Sequence, residues 1–190
     1  MENSHHRRLR YWMVGIGCLA FAGWTQAAEI QEADWQRIDS RYCTVWLQTS
    51  VDIKKVNRKI STWRLKPEVR KSGNETQEDE LAAKCDTIFR RAEEVLDMYP
   101  PGVHTTLRIA KKRDELKEIH SGLFGYGTEA MAFYVFEENT IYATEKDISE
   151  SVLIHEMAHC IMDHYFRVRP PRKIEELLAM HVDAHLRSDT

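Results

Sequence analysis

The chain of 190 residues is poor in glycine (8) and proline (5) and holds four cysteines. Little Gly and Pro excludes collagen-like and low-complexity chains, and a hydrophobic content of 43% excludes a disordered one. Positive charge is not in excess: the formal net charge is −3, which offers nucleic acid no broad basic field, so no nucleic-acid partner is expected. A long apolar run is missing as well, because Tyr11 to Trp24 falls short of the roughly 17–25 residues of a membrane-spanning helix. Gly122, Gly125 and Gly127 lack the Gly-Lys-Ser/Thr ending of a phosphate cradle and mark a turning loop. The length suits one domain with a buried core.

The first residues are a leader rather than part of that core. Arg7, Arg8 and Arg10 precede the apolar run, and small residues follow it. This is the pattern of a secretory signal over residues 1–28, cut after Ala22, Ala27 or Ala28, and it leaves a single domain over 29–190. The expected location is periplasmic or extracellular, with no stable membrane span once the signal is removed. Export leaves Cys43, Cys85 and Cys160. In an oxidising compartment one pair is expected to close; Cys43 with Cys85 is the expected disulfide, since Cys160 lies in a motif that a crosslink would restrain.

The remaining pattern is α+β. Cys43 to Leu47 is β-branched and aromatic like a strand, and Val56, Ile60 and Trp63 keep helical spacing. Lys66 to Glu80 is polar and predicts a surface loop. From Leu81 to the Pro100-Pro101-Gly102 stop, apolar residues recur at helical spacing. His104 to Ala110 predicts a strand and Lys111 to His120 a helix. Met131 to Phe136 and Thr140 to Thr144 predict a hairpin, and Asp147 with Glu150 suits a capping box that opens the next helix.

That helix contains His155-Glu156-Met157-Ala158-His159. A four-residue spacing places both imidazoles on one face a turn apart, within reach of one tetrahedral zinc ion. Glu156 lies next round the helix, where it can take a proton from a water activated by the metal, the general-base role of this motif in metalloproteases. Burying two His and a Glu in an apolar run without partners would be costly, which favours the zinc reading. His164 points away from the pair on a continuous helix, and no Gly interrupts the helix to bring a later His back. Beyond Pro170-Pro171 a second helical run begins at Lys173; a turn through the prolines would fold it back and present a carboxylate. Glu175 and Glu176 are about 100° apart on the wheel, so only one of them can face the metal.

This pair of helices resembles the gluzincins of the thermolysin-like zincin superfamily, in particular the small bacterial peptidase MA-like branch, where HExxH is followed by a short proline-bearing turn and a Glu-Gly-Leu-Ala segment. Glu176-Leu177-Leu178-Ala179 aligns with that segment, with Leu177 in place of Gly and His181 where an aromatic is common. The resemblance implies a zincin-like fold: a small mixed sheet whose edge strand lies beside the HExxH helix, followed by a Glu-bearing helix. It implies one Zn2+ held by His155, His159 and Glu176, with Glu175 a solvated or bracing neighbour. Asp183 shares the Glu176 face and can orient a ligand imidazole. It further implies an extended peptide or protein substrate added to the edge run Met131 to Phe136. The expected activity is zinc metallopeptidase, with Glu156 catalytic. An oxyanion donor is still required, and His181, His185, Tyr165 and Tyr126 all remain open. The alternative, from another class, is a non-catalytic binding or scaffold protein of the same fold that retains its zinc site.

Overall fold

A computed structural model describes residues 34–62 and 75–188. The leader and Trp63 lie outside the described residues. Five strands form one mixed sheet: β1 (Trp35–Asp39), β2 (Cys43–Gln48), β3 (Thr105–Ala110), β4 (Ala132–Val135) and β5 (Thr140–Thr144), in the order β1-β2-β3-β5-β4. The three central strands run parallel, and each edge strand is antiparallel to its neighbour. Every residue of β5 is buried, as expected for a strand covered on both faces.

Helices α1 (Ile53–Lys59), α2 (Gln77–Leu96), α4 (Glu150–Tyr165) and α5 (Arg172–Ser188) pack together on one face, and α3 (Arg113–Phe124) covers the other. The main core joins Val45, Leu107 and Ile141 of the sheet to Leu81, Ile88 and Phe89 of α2 and Ile154, Met157 and Ile161 of α4. Leu116, Val135 and Tyr142 form a smaller core under α3. Among the described residues, no helix is long and apolar enough to cross a membrane.

Four local expectations are corrected. β1 was not expected: Trp-Gln-Arg-Ile-Asp buries only Ile38 and pairs along its whole length with β2, so partnering rather than apolar pattern makes it a strand. Helix α2 starts at Gln77, inside the predicted loop. Thr76 accepts from the Asp79 amide while the Asp79 carboxylate accepts from the Thr76 amide, a reciprocal cap whose loss costs about 1 kcal/mol. The cap of α4 is Ser149, whose hydroxyl accepts from the Val152 amide, and not Asp147. Asp147 is instead taken by Arg113 Nε at 2.6 Å and by Thr144 Oγ1 at 2.8 Å, and Glu150 accepts from the Ser61 amide. Gly122, expected in a loop, lies within α3, which Gly125 ends in a left-handed conformation at φ 79°.

Candidate metal centre

The α4 and α5 helices meet across the turn that contains Pro170 and Pro171, with Ala158 on one and Ala179 and Val182 on the other fully buried. Their small side chains allow close approach, so ligands from both helices converge. His155 Nε2 and His159 Nε2 are 3.3 Å apart, and Glu176 Oε2 lies 3.5 Å from the first and 3.8 Å from the second. Tetrahedral zinc, with nitrogen and oxygen ligands at about 2.0–2.1 Å, spaces its ligand atoms about 3.3–3.5 Å apart. Two imidazoles and a carboxylate are also the donor set such an ion takes, so the residues fit the metal. Among the described residues, this is the group of three His, Cys, Asp or Glu able to hold an ion.

The electrostatics point the same way. Burial and the neighbouring His155 lower the proton affinity of His159, which favours the neutral ring that a metal needs. Burial and the Glu176 carboxylate push Glu156 up to about 7, partly offset by the nearby backbone N–H of Tyr134. Glu156 therefore sits between the ligand triad and the edge strand β4. Repulsion between the two carboxylates is a cost that a divalent cation held by Glu176 would relieve.

Glu175 is a brace. It is buried, and Arg169 Nε donates to its Oε1 at 2.8 Å while pairing with Asp163 Oδ1 at 3.2 Å. The clamp ties the end of α4, the turn and the start of α5 together, and it holds Glu176 rather than Glu175 toward the histidines. Burial pushes Asp163 up to about 6, Arg169 pulls it down, and its Oδ2 has no hydrogen-bond partner. Nothing in the sequence reading singled out Arg169 or Asp163. An Arg directly before two prolines, with an Asp two residues before the end of the preceding helix, was the available signal.

Asp183 lines the same cavity as the triad and accepts from Ser151 Oγ at 2.5 Å, tying α5 to the first turn of α4. His181 and Tyr165 are not on that cavity. His181 is five positions past Glu176, about 140° round the helix, and its ring packs on His185 at 3.9 Å. Tyr165 is at the end of α4 with its ring against Phe166. His185 is likewise off the cavity, and of the four candidate oxyanion donors Tyr126 lines it. His164 turns back to the Cys160 carbonyl, as its position on the helix requires.

Cys43 and Cys85 are fully buried and face one another as free thiols, and contact with Cys43 followed by burial drives the Cys85 thiol well above its ordinary range. Cys160 is a free, buried thiol on α4, pushed up to about 12 by burial.

The cavity, of about 770 Å³, runs from the triad over the edge of β4 to the end of α3. Compared with known proteins, the chain matches no protein-family model, no curated protein and no solved structure.

Proposed function

We propose that this chain is an exported, zincin-like zinc metallopeptidase of the gluzincin type. The observation that carries the reading is the convergence of His155, His159 and Glu176 beside a half-buried Glu156 that lies against an open strand edge. Zinc held by those three residues supplies Lewis-acid chemistry, acidifying water and polarising a carbonyl. Glu156 accepts the proton of the attacking water and returns it to the leaving amine. A carboxyl whose proton affinity is raised toward neutrality is suited to both transfers. The free edge of β4 aligns an extended peptide by main-chain pairing, which is indifferent to side chains and spares folded helical substrates. The Arg169 clamp keeps Glu176 in register. The basic, apolar and small-residue leader supports export, and non-reducing peptide mapping of exported protein is expected to find Cys43 linked to Cys85 and Cys160 free.

The test pairs metal content with hydrolysis of an unfolded-peptide library. His155→Ala, His159→Ala and Glu176→Ala should each lower zinc occupancy, because a three-ligand site has no spare. Glu156→Gln should keep zinc while hydrolysis falls at least about 10²-fold. Zinc-loaded wild type that cleaves no member of the library would instead favour the scaffold alternative, and zinc lost from Glu175→Ala but not from Glu176→Ala would move the ligand by one residue.

A further inference from the structure

The α3 end of the cavity, where Tyr126 lies, has no role in the proton transfers assigned to Glu156. There the ring of His120, at the end of α3, is held by Nδ1 donating to the Tyr126 carbonyl at 2.7 Å. Three aromatic rings surround it: Phe124 at 4.6 Å, Phe133 at 4.9 Å and Tyr126 at 5.1 Å between centroids. His120 is buried and its position fixed, yet Phe124 remains 42% and Tyr126 64% exposed. Apolar area of this kind, on a preformed wall inside a cavity, is the usual make-up of a ligand pocket. Formal charge is partitioned along the cavity: Glu156, Arg169, Arg172, Glu175, Glu176 and Asp183 line the α4–α5 side and Glu137 the β4–β5 turn, whereas the lining from His120 to Val135 carries none.

The strand between the two ends dictates how they would be used together. Phe133 and Val135 of β4 pack toward α3, while Ala132 and Tyr134 pack toward the core that contains α4. A peptide added to the β4 edge alternates its side chains in the same way, so neighbouring residues turn to opposite faces of the sheet. A residue whose neighbour faces the triad must point to the α3 side, into the uncharged aromatic end.

We infer that Phe124, Tyr126, Phe133 and His120 form a side-chain subsite that selects an aromatic residue of an extended peptide lying along β4. The occupant follows from the continuity of this end with the triad in one cavity, from its lack of charge, and from ring edges and faces placed to pack another ring. The inference rests on the peptidase reading for the direction of the peptide path, and on the aromatic wall for its selectivity.

The probe is a set of short, capped, unstructured peptides, identical except for one residue set to Ala, Lys, Leu, Phe, Tyr or Trp and moved along the sequence. Binding to zinc-loaded full-length Glu156→Gln protein is read by fluorescence anisotropy, and cleavage by wild type is read separately. Aromatic peptides are expected to bind at least about tenfold more tightly than alanine ones at one position, with leucine in between and lysine no better than alanine. Phe124→Ala and Tyr126→Ala should bring the aromatic-to-alanine ratio toward one. Phe124→Leu serves the same purpose should Phe124→Ala fail to fold, since it keeps apolar bulk and removes the ring. Equal binding of all side chains, no binding at all, leucine equal to the aromatics, or a ratio that survives both substitutions would overturn the subsite. Aromatic-selective binding without cleavage would overturn the peptidase and leave the subsite standing. Cleavage without aromatic preference would do the reverse.

Discussion

The sheet has two edges, and they are built differently. On β1, Arg37 pairs with Asp39 at 2.9 Å and lies over Trp46, while Arg108 of β3 covers Trp35. Charge and cation–π cover of this sort protects an edge from unwanted pairing. The β4 edge has no charged residue; its Tyr134 amide lies toward Glu156, and it faces the cavity. An uncharged edge is an aggregation liability in a folded protein, and β4 limits it by being four residues long and by lying under α4. The protected edge serves stability. The open one is where the proposed peptide would pair.

The comparison breaks most sharply if the β4 edge is closed. Tyr134 directs its amide away from β5, so the strand period of two places the Ala132 amide on the same free side. Ala132→Pro removes that donor and leaves the ladder with β5 intact, a position where an edge strand tolerates proline. We expect kcat/KM for extended peptides to fall about tenfold, the loss of one main-chain hydrogen bond in a desolvated site, with zinc content retained. Arg37→Ala on β1 is the control and should leave kcat/KM unchanged. Equal losses in the two variants would mean that the edges do not differ in role.

A second effect, smaller in activity, is expected in stability at the far end of β4. Arg169 lies over the Phe136 ring at 5.3 Å and pairs with Asp163 and Glu175, whose side chains are 2% and 6% exposed. Arg169→Ala strands two buried carboxylates. Water reaches the guanidinium, so the loss is expected at about 1–3 kcal/mol rather than the larger cost of a fully buried pair. Urea denaturation of metal-free protein measures it. Arg169→Lys should restore part of the stability but less of the zinc affinity, because a flexible ammonium does not reproduce the fixed Nε that bridges Glu175 and Asp163. Unchanged zinc affinity in both variants would show that the clamp braces the turn without setting the Glu176 register.

Much of the site was legible because its chemistry is local. His155, Glu156 and His159 share one helix, and helical geometry alone places two imidazoles together. Choosing Glu176 over Glu175 needed a resemblance, since a wheel gives their separation but not which one faces inward; in the fold Glu176 lies against the histidines and Glu175 is held in the Arg169 clamp, a contact that is tertiary. The hairpin and the α2 and α4 helices followed from periodicity. β1 did not, because a strand that buries a single residue carries no pattern of its own and owes its form to β2. The start of α2 was hidden for another reason. Thr76 and Asp79 form a legible cap, but they close a polar stretch, and polar composition was read as loop. Of the four donors proposed from sequence, His181, His185 and Tyr165 missed the cavity; a helix turns 100° per residue, so proximity in sequence to Glu176 puts His181 on another face.

The smallest expected effect lies between the two edges, where Asp147 joins the end of β5 to α3. Its side chain is 6% exposed, and the Arg113 guanidinium, aided by the Thr144 hydroxyl, holds its carboxyl below the ordinary carboxylate range. A group depressed in the folded state stabilises the fold above its unfolded pKa, about 3.9, and that contribution fades as pH falls through the lower folded value. Asp147→Asn should therefore cost about 1 kcal/mol at neutral pH, a figure kept low because Arg113 is half exposed. As pH falls through the lowered folded value the wild type loses its advantage, and the urea midpoints of the two proteins should converge. Peptide hydrolysis at neutral pH should not change, since Asp147 touches neither the triad nor the open edge. A variant that lost hydrolysis but not stability would place Asp147 in the site, and a midpoint difference that persisted in acid would mean that the Arg113 pair is not what stabilises this junction.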